Sequence, residues 1–121
     1  EATNGSLVPP RGGRRNGLDA RGTLDDVSAY WINTFREIRD QEKLDTYVAL
    51  AGPAMRDGGG TFLARGTPAA AFEQGTTDRT TLIVFDSVEQ AVAAYESPAY
   101  QEALAVLGDG AVRDIRIIEA V

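Results

Sequence analysis

Apolar side chains recur along this chain with two different periods, and each change of period marks the edge of an element. Over 27–35, "VSAYWINTF", aromatic and β-branched residues gather in a run of strand length, which predicts a first strand. The charged turn "REIRD" follows. Asp40 then caps a helix whose apolar positions Leu44, Tyr47, Val48, Ala51 and Met55 keep the i, i+3, i+4, i+7 spacing of one helical face. Pro53 is expected to bend or restart that helix, and Gly58, Gly59 and Gly60 to stop it in a left-handed cap. "TFLAR" reads as a second strand, with alternation placing Phe62 and Ala64 on one face and Leu63 and Arg65 on the other. In the connection "TPAAAFEQGTTD", the "AAF" is a candidate extension of that strand's edge. "RTTLIVFD" is short and apolar enough for a strand in the middle of a sheet. Ser87 and Gln90 form a capping box for a second helix with Val88, Ala91, Val92 and Tyr95 inward. Ser97 and Pro98 break it and launch another helical segment with Tyr100, Ala103, Leu104 and Leu107 on one stripe. "RDIRIIEAV" closes the chain as a strand, Ile115 and Ile117 on one face, Arg116 and Ile118 on the other.

The order strand, helix, strand, strand, helix, strand is that of the ferredoxin-like βαββαβ motif, an α+β fold. Right-handed crossovers put both helical layers on one face of a four-stranded antiparallel sheet. The other face is left bare. With Leu63 or Ile118 available there, burial against a second copy is the economical solution, so a homodimer is expected.

Composition narrows the chemistry. The chain has 121 residues, 43% of them hydrophobic, enough for one core, and a single domain over 23–121 is expected. Residues 1–22, "EATNGSLVPPRGGRRNGLDARG", keep no period and read as a flexible arm. Within them "SLVPPRG" is similar to an engineered protease site except for its doubled proline, so a vector remnant is the other reading. The arm carries four arginines against two acids, a balance of +2, and the rest of the chain balances at −8 of the total −6. An acidic body repels phosphate backbones, which argues against nucleic-acid binding by the domain. There is no cysteine and no histidine, so disulfides, thiolate chemistry, the usual zinc ligands and serine–histidine hydrolysis drop out together. Acid–base work falls to carboxylates, tyrosine, lysine or water. No apolar run is long enough for a bilayer or a secretory signal, and a cytoplasmic protein without membrane contact is expected.

"AYWI", "GGTFLARG", "FDSVEQAVAAYESPAYQEA" and the closing "IRIIEAV" together resemble the domain of unknown function 1330 family, small proteins of the dimeric α+β barrel superfamily. The resemblance runs from Ser28 to the C-terminus, and its two signatures are Gly59 to Gly66 and Ser97-Pro98-Ala99-Tyr100. It implies the fold and a dimer. Superfamily relatives include cofactor-independent monooxygenases, cyclases, isomerases and dehalogenating enzymes, which bind small organic molecules in a cleft between sheet and helices. No cofactor is therefore expected. Fold analogy alone is an associational argument for function. The chain also departs from the family pattern: Val84 stands where many members have an acid before Phe85, and Gly108 where they often have an arginine.

Arg65 is the first candidate for chemistry, because a guanidinium on a strand can clamp a carboxylate or enolate with paired hydrogen bonds. The competing reading pairs it with Glu73, Asp86 or Glu119 to hold the sheet or the dimer. Tyr100 is the second, a donor able to polarise a reacting oxygen; otherwise it fills the core while Ser97 caps its helix. Tyr30 and Trp31 point to opposite faces, so one of them lines a cleft with Phe62 and Ser97 while the other packs at the dimer interface. Asp57 and Glu73 would serve as bases only if buried. Neither "DGGG" nor "GDG" has the context of a phosphate cradle, and no carboxylate cluster has metal spacing. Two functions stay open: a small-molecule-binding protein, in its catalytic form a cofactor-independent enzyme acting on a small carbonyl or carboxylate compound, or a non-catalytic ligand-sensing or assembly module in which Arg65 and Tyr100 are structural.

Overall fold

The structure, a computed structural model, describes residues 27–121. The arm expected at 1–22 and the first residues of the expected domain lie outside the described residues. Seven elements follow: β1 (Ala29–Ile38), α1 (Gln41–Asp57), β2 (Thr61–Gly66), β3 (Thr80–Phe85), α2 (Val88–Glu96), α3 (Pro98–Leu107) and β4 (Ala111–Glu119). The strands form one sheet in the order β2-β3-β1-β4, and every neighbouring pair is antiparallel. This is the ferredoxin-like α+β fold, with the second helical layer broken in two at Ser97 and Pro98.

Period-2 alternation in the central strands decides which face is covered. Trp31, Asn33 and Phe35 of β1 and Thr81, Ile83 and Phe85 of β3 are buried beneath the helices. The helices contribute Leu44, Tyr47, Ala51 and Met55 from α1, Ala91 and Ala94 from α2, and Tyr100, Ala103 and Leu107 from α3. Small alanines on α2 and α3 let those helices lie close to the large ring of Trp31. On the opposite face Tyr30, Ile32, Leu82 and Val84 are half-buried, and Leu63 and Ile118 are 52% and 56% exposed. That face has no covering layer in the single chain.

The caps hold as the sequence predicts. The Asp40 carboxylate accepts from the Lys43 N–H, and Ser87 from the Gln90 N–H. Gln90 returns the contact one residue further out, its Oε1 accepting from the Asp86 N–H. At the end of α1 the left-handed residue is Gly59, with φ of +97°, and the Gly60 N–H closes the turn onto the Met55 carbonyl. Gly60 is required for another reason, close approach: a Cβ there would sit 2.8 Å from Ile83 and from Phe85.

Four expectations need correction. First, β1 runs through the residues taken as a turn, because pairing with β4 continues to Ile38 across a bulge at Arg36. Second, α1 is continuous through Pro53, which is exposed together with Ala49, so water can serve the carbonyl that proline leaves unbonded. Third, residues 67–79 add no strand, and Ala70, Ala71 and Phe72 are exposed. Fourth, Val92 and Tyr95 lie at the rim of α2, 38% and 36% exposed, because Ala94 takes the inward position instead.

A fifth correction bears on the site. Phe62 is paired with Ile83 and Arg65 with Thr81, with a register shift at Leu63 between them. Leu63 is thus the extra residue of a β-bulge. Strict alternation would have put Arg65 on the bare face. The bulge brings it to the helix-covered face beside Phe62.

Candidate functional site

Between α1 and the centre of the sheet the core does not close. A cavity of about 40 Å³ remains, room for a water-sized or slightly larger group. Its floor is Trp31, Asn33 and Phe35, three inward residues of β1, and Met55 and Tyr47 of α1 roof it. Phe62 and Arg65 close it from β2, and Arg79 and Thr81 from β3 and the residue before it.

Two observations make this more than a packing defect. Asn33 is only 4% exposed, yet its Oδ1 accepts no hydrogen bond among the described residues. An unsatisfied buried acceptor costs about 1–3 kcal/mol, so one retained in a native core calls for an explanation. The second observation is charge. The Arg65 guanidinium lies 5.1 Å from the centroid of the Phe62 ring, and that of Arg79 lies 5.3 Å from the centroid of Phe35. Ion pairs among the described residues engage Arg36, Arg39, Lys43 and Arg116, but neither cavity arginine. Among the described residues no acid lines the cavity. Within the single chain no ion pair joins Arg65 to Glu73, Asp86 or Glu119, and its guanidinium rests on the face of Phe62.

Behind the cavity wall sits a phenol pair. The hydroxyls of Tyr47 and Tyr100 share a hydrogen bond of 2.7 Å. Arg113 of β4 donates through one nitrogen to both, 2.6 Å to Tyr47 and 3.2 Å to Tyr100. Burial, and then the neighbouring Tyr100, push the Tyr47 phenol well above the ordinary tyrosine value, so Tyr47 keeps its proton at neutral pH. Burial works against the charge of Arg113, but the two phenol oxygens outweigh it and the guanidinium is held in its charged form. Tyr47 can donate or relay a proton; it cannot serve as a base at neutral pH.

Linkage turns the Tyr47 shift into a stability prediction. An unfolded tyrosine ionises near 10, whereas the folded Tyr47 does not, so its contribution is intact below that pH and is lost as pH rises above it. Urea denaturation midpoints should fall more steeply above pH 10 in the parent than in Tyr47→Phe, by about 1.4 kcal/mol per pH unit. Parallel slopes for the two proteins would contradict the burial-driven shift.

The sequence candidates divide. Arg65, Trp31 and Phe62 come together at the cavity. Tyr100 is fully buried one step behind it, its ring edge-on to Trp31 at 5.6 Å and its hydroxyl bonded to that of Tyr47. Ser97 is engaged in capping: its Oγ accepts from the Tyr100 N–H and donates to the Ala94 carbonyl. Tyr30 stands on the opposite face of the sheet. Asp57 and Glu73 are exposed and outside the lining. Val84 lies opposite Tyr30 on the bare face, so that position looks away from the cavity. Sequence reasoning missed Asn33, Arg79, Tyr47 as a hydroxyl, and Arg113. Two of these had a signal: Asn33 is the polar member of an inward series with Trp31 and Phe35, and Arg113 shares its parity with Ile115 and Ile117.

The pattern that defines the domain of unknown function DUF1330 matches residues 28–121. The chain belongs to this family. No curated protein matches the sequence. Solved structures similar to this DUF1330 protein include a protein of unknown function from Rhodopseudomonas palustris, 17% identical, with a TM-score of 0.63 over 79% of this chain and 84% of that one. A dimeric ferredoxin-like protein of unknown function from Thermobifida fusca is 16% identical, with a TM-score of 0.57 over 78% and 92% of the two chains. SnoaB, a cofactor-independent oxygenase from Streptomyces nogalater, is 12% identical, with a TM-score of 0.56 over 78% and 94%. At these identities the likeness speaks to the fold of the DUF1330 domain and not to its chemistry. Among the described residues no helix is long and apolar enough to cross a membrane, and no cluster of acids could hold a metal ion.

Proposed function

We propose that this DUF1330 protein binds a small organic anion of the carboxylate or enolate class at the mouth of the cavity between α1 and the sheet, with one donor group of the ligand entering it. The observation that carries the reading is the unpartnered Oδ1 of Asn33 on the floor of a cavity whose two arginines have no carboxylate among the described residues. A ligand with a hydroxyl or N–H donor would satisfy Asn33, and its anionic end would meet Arg65 and Arg79 at the mouth. Trp31, Phe35 and Phe62 supply the apolar wall. A homodimer built on the bare sheet face belongs to the same proposal, supported by the exposure of Leu63 and Ile118 and by the dimeric Thermobifida fusca neighbour.

In its catalytic form the protein is a cofactor-independent enzyme on a carbonyl or carboxylate compound. Tyr47, held protonated, would donate to the developing negative charge on oxygen, with Tyr100 and Arg113 orienting its hydroxyl. One similar structure is that of a cofactor-independent oxygenase, which supports this form by analogy only. The complete burial of Tyr100 favours the second reading, a ligand-sensing module in which Tyr100 is structural.

A thermal-shift screen against small carboxylates, phenols and 1,3-dicarbonyls tests the proposal, since any ligand of the folded state raises the melting temperature by mass action. Arg65→Lys should weaken binding about 5–20-fold without loss of fold, because lysine cannot offer paired parallel donors. Asn33→Leu should raise stability by about 1–2 kcal/mol while abolishing binding, as it removes the orphan acceptor and fills the cavity. Stabilisation of both variants by the same compounds as the parent would place the ligand elsewhere. Turnover of a binding compound decides between the catalytic and the sensing form.

A further inference from the structure

A second feature of the helix-covered face lies on the other side of Tyr47 from the cavity beside α1. At the far edge of the sheet, α3 and β4 stand apart and leave a cleft of about 610 Å³, within the range of small-molecule sites. Its surface is mixed, with apolar side chains along its length: Tyr95 of α2, Leu104 and Leu107 of α3, Ile115 and Ile117 of β4. One charged residue lines it, Arg113.

Arg113 is half-buried and forms no ion pair among the described residues. Both its phenol contacts use one nitrogen, Nη1. A guanidinium has five N–H donors, so those on Nε and Nη2 are left without a side-chain or backbone acceptor among the described residues. A partly desolvated cation is stabilised by an opposite charge, and none of the described residues lining this cleft supplies one. The ring faces of Phe35 and Tyr47, 5.9 and 4.8 Å from its carbon, help to hold it in place but leave those donors open.

We infer that the cleft between α3 and β4 is a binding site for an amphiphilic carboxylate. Its charged group pairs with the open Nε and Nη2 edge of Arg113, and its apolar body lies along Ile115 and Ile117 against Tyr95. From Arg113 to Ile117 is four strand steps of ~3.3 Å, so the occupant is about 13 Å long or shorter, the size of two fused rings or a medium alkyl chain. The geometry suits a bidentate carboxylate, which matches the planar fork of an arginine. Because Arg113 also holds Tyr47 and Tyr100, an occupant here acts on the same phenol pair that backs the first cavity.

The test uses 2-naphthoate and, as an uncharged probe of the same shape, 2-naphthylmethanol, followed by amide chemical-shift mapping. The expected result is that naphthoate moves amides over residues 104–117, that naphthylmethanol moves them at least ten-fold more weakly, and that Arg113→Gln abolishes the difference. Leu104→Trp, which adds bulk to the α3 wall of the cleft and keeps Arg113 in the sequence, should block naphthoate equally, so the result does not depend on whether Arg113→Gln folds. Equal binding of the two probes would overturn the role of charge. Shifts confined to the surroundings of Asn33 and Arg65 and unchanged in Leu104→Trp would overturn the second site and support the first. Absence of any shift at millimolar naphthoate would overturn the inference, while the Asn33 cavity is judged separately by its own variants.

Discussion

Replacing Trp31 with alanine is expected to lower the stability of the fold by about 3–5 kcal/mol, enough to leave much of the chain unfolded at physiological temperature. Trp31 is 1% exposed, and its ring meets Phe85 at 6.2 Å, Tyr95 at 5.8 Å and Tyr100 at 5.6 Å, so it joins the sheet to both segments of the second helical layer. The neighbouring alanines, Ala91, Ala94 and Ala103, cannot expand to fill the space. The loss should therefore include the full cavity penalty and not the transfer term alone. Urea denaturation followed by far-UV circular dichroism gives the number. A loss below about 1 kcal/mol would mean that the helical layer is not packed on Trp31 as described.

The second large effect concerns association. Ile118 is 56% exposed in the single chain and lies on the bare face beside Tyr30, its cross-strand partner. In the proposed homodimer, Ile118→Asp places an unpaired carboxylate in the interface, and two-fold symmetry places two. Burying an uncompensated charge costs about 3–5 kcal/mol, so the dimer dissociation constant should rise at least ~100-fold. Sedimentation velocity across a dilution series reads this directly, with circular dichroism confirming an intact monomer. A variant that stays dimeric at the parent's affinity would show that a second copy does not seat on this face.

The fold was legible because every element carries its own local signal. Asp40, Ser87 and Ser97 announce helix starts, Gly58 to Gly60 a stop, and the inward series of β1 and β3 is regular enough to orient the sheet. The site was legible only in part, for three physical reasons. The face of Arg65 depends on a bulge, and a bulge is a property of pairing that strand alternation cannot reveal. Arg79 joins the cavity through the antiparallel register that brings it beside Phe35, a contact across 44 residues of sequence. Tyr47 looked like one more apolar position on a helix stripe, and its ring does pack that way; only the tertiary approach of Tyr100 and Arg113 gives its hydroxyl a role. Tyr95 shows the reverse limit: helical spacing puts it inward, but Ala94 takes that position and Tyr95 lies at the rim.

The bulge at Leu63 also bears on how this strand can change over evolutionary time. In a regular strand the loss of one codon turns every later side chain over. Here Leu63 is surplus to the pairing with β3, so its deletion would leave Phe62 opposite Ile83 and Arg65 opposite Thr81. The strand thus holds a length change in reserve: one residue can be lost from the surface offered to a second copy while the arginine stays where it is.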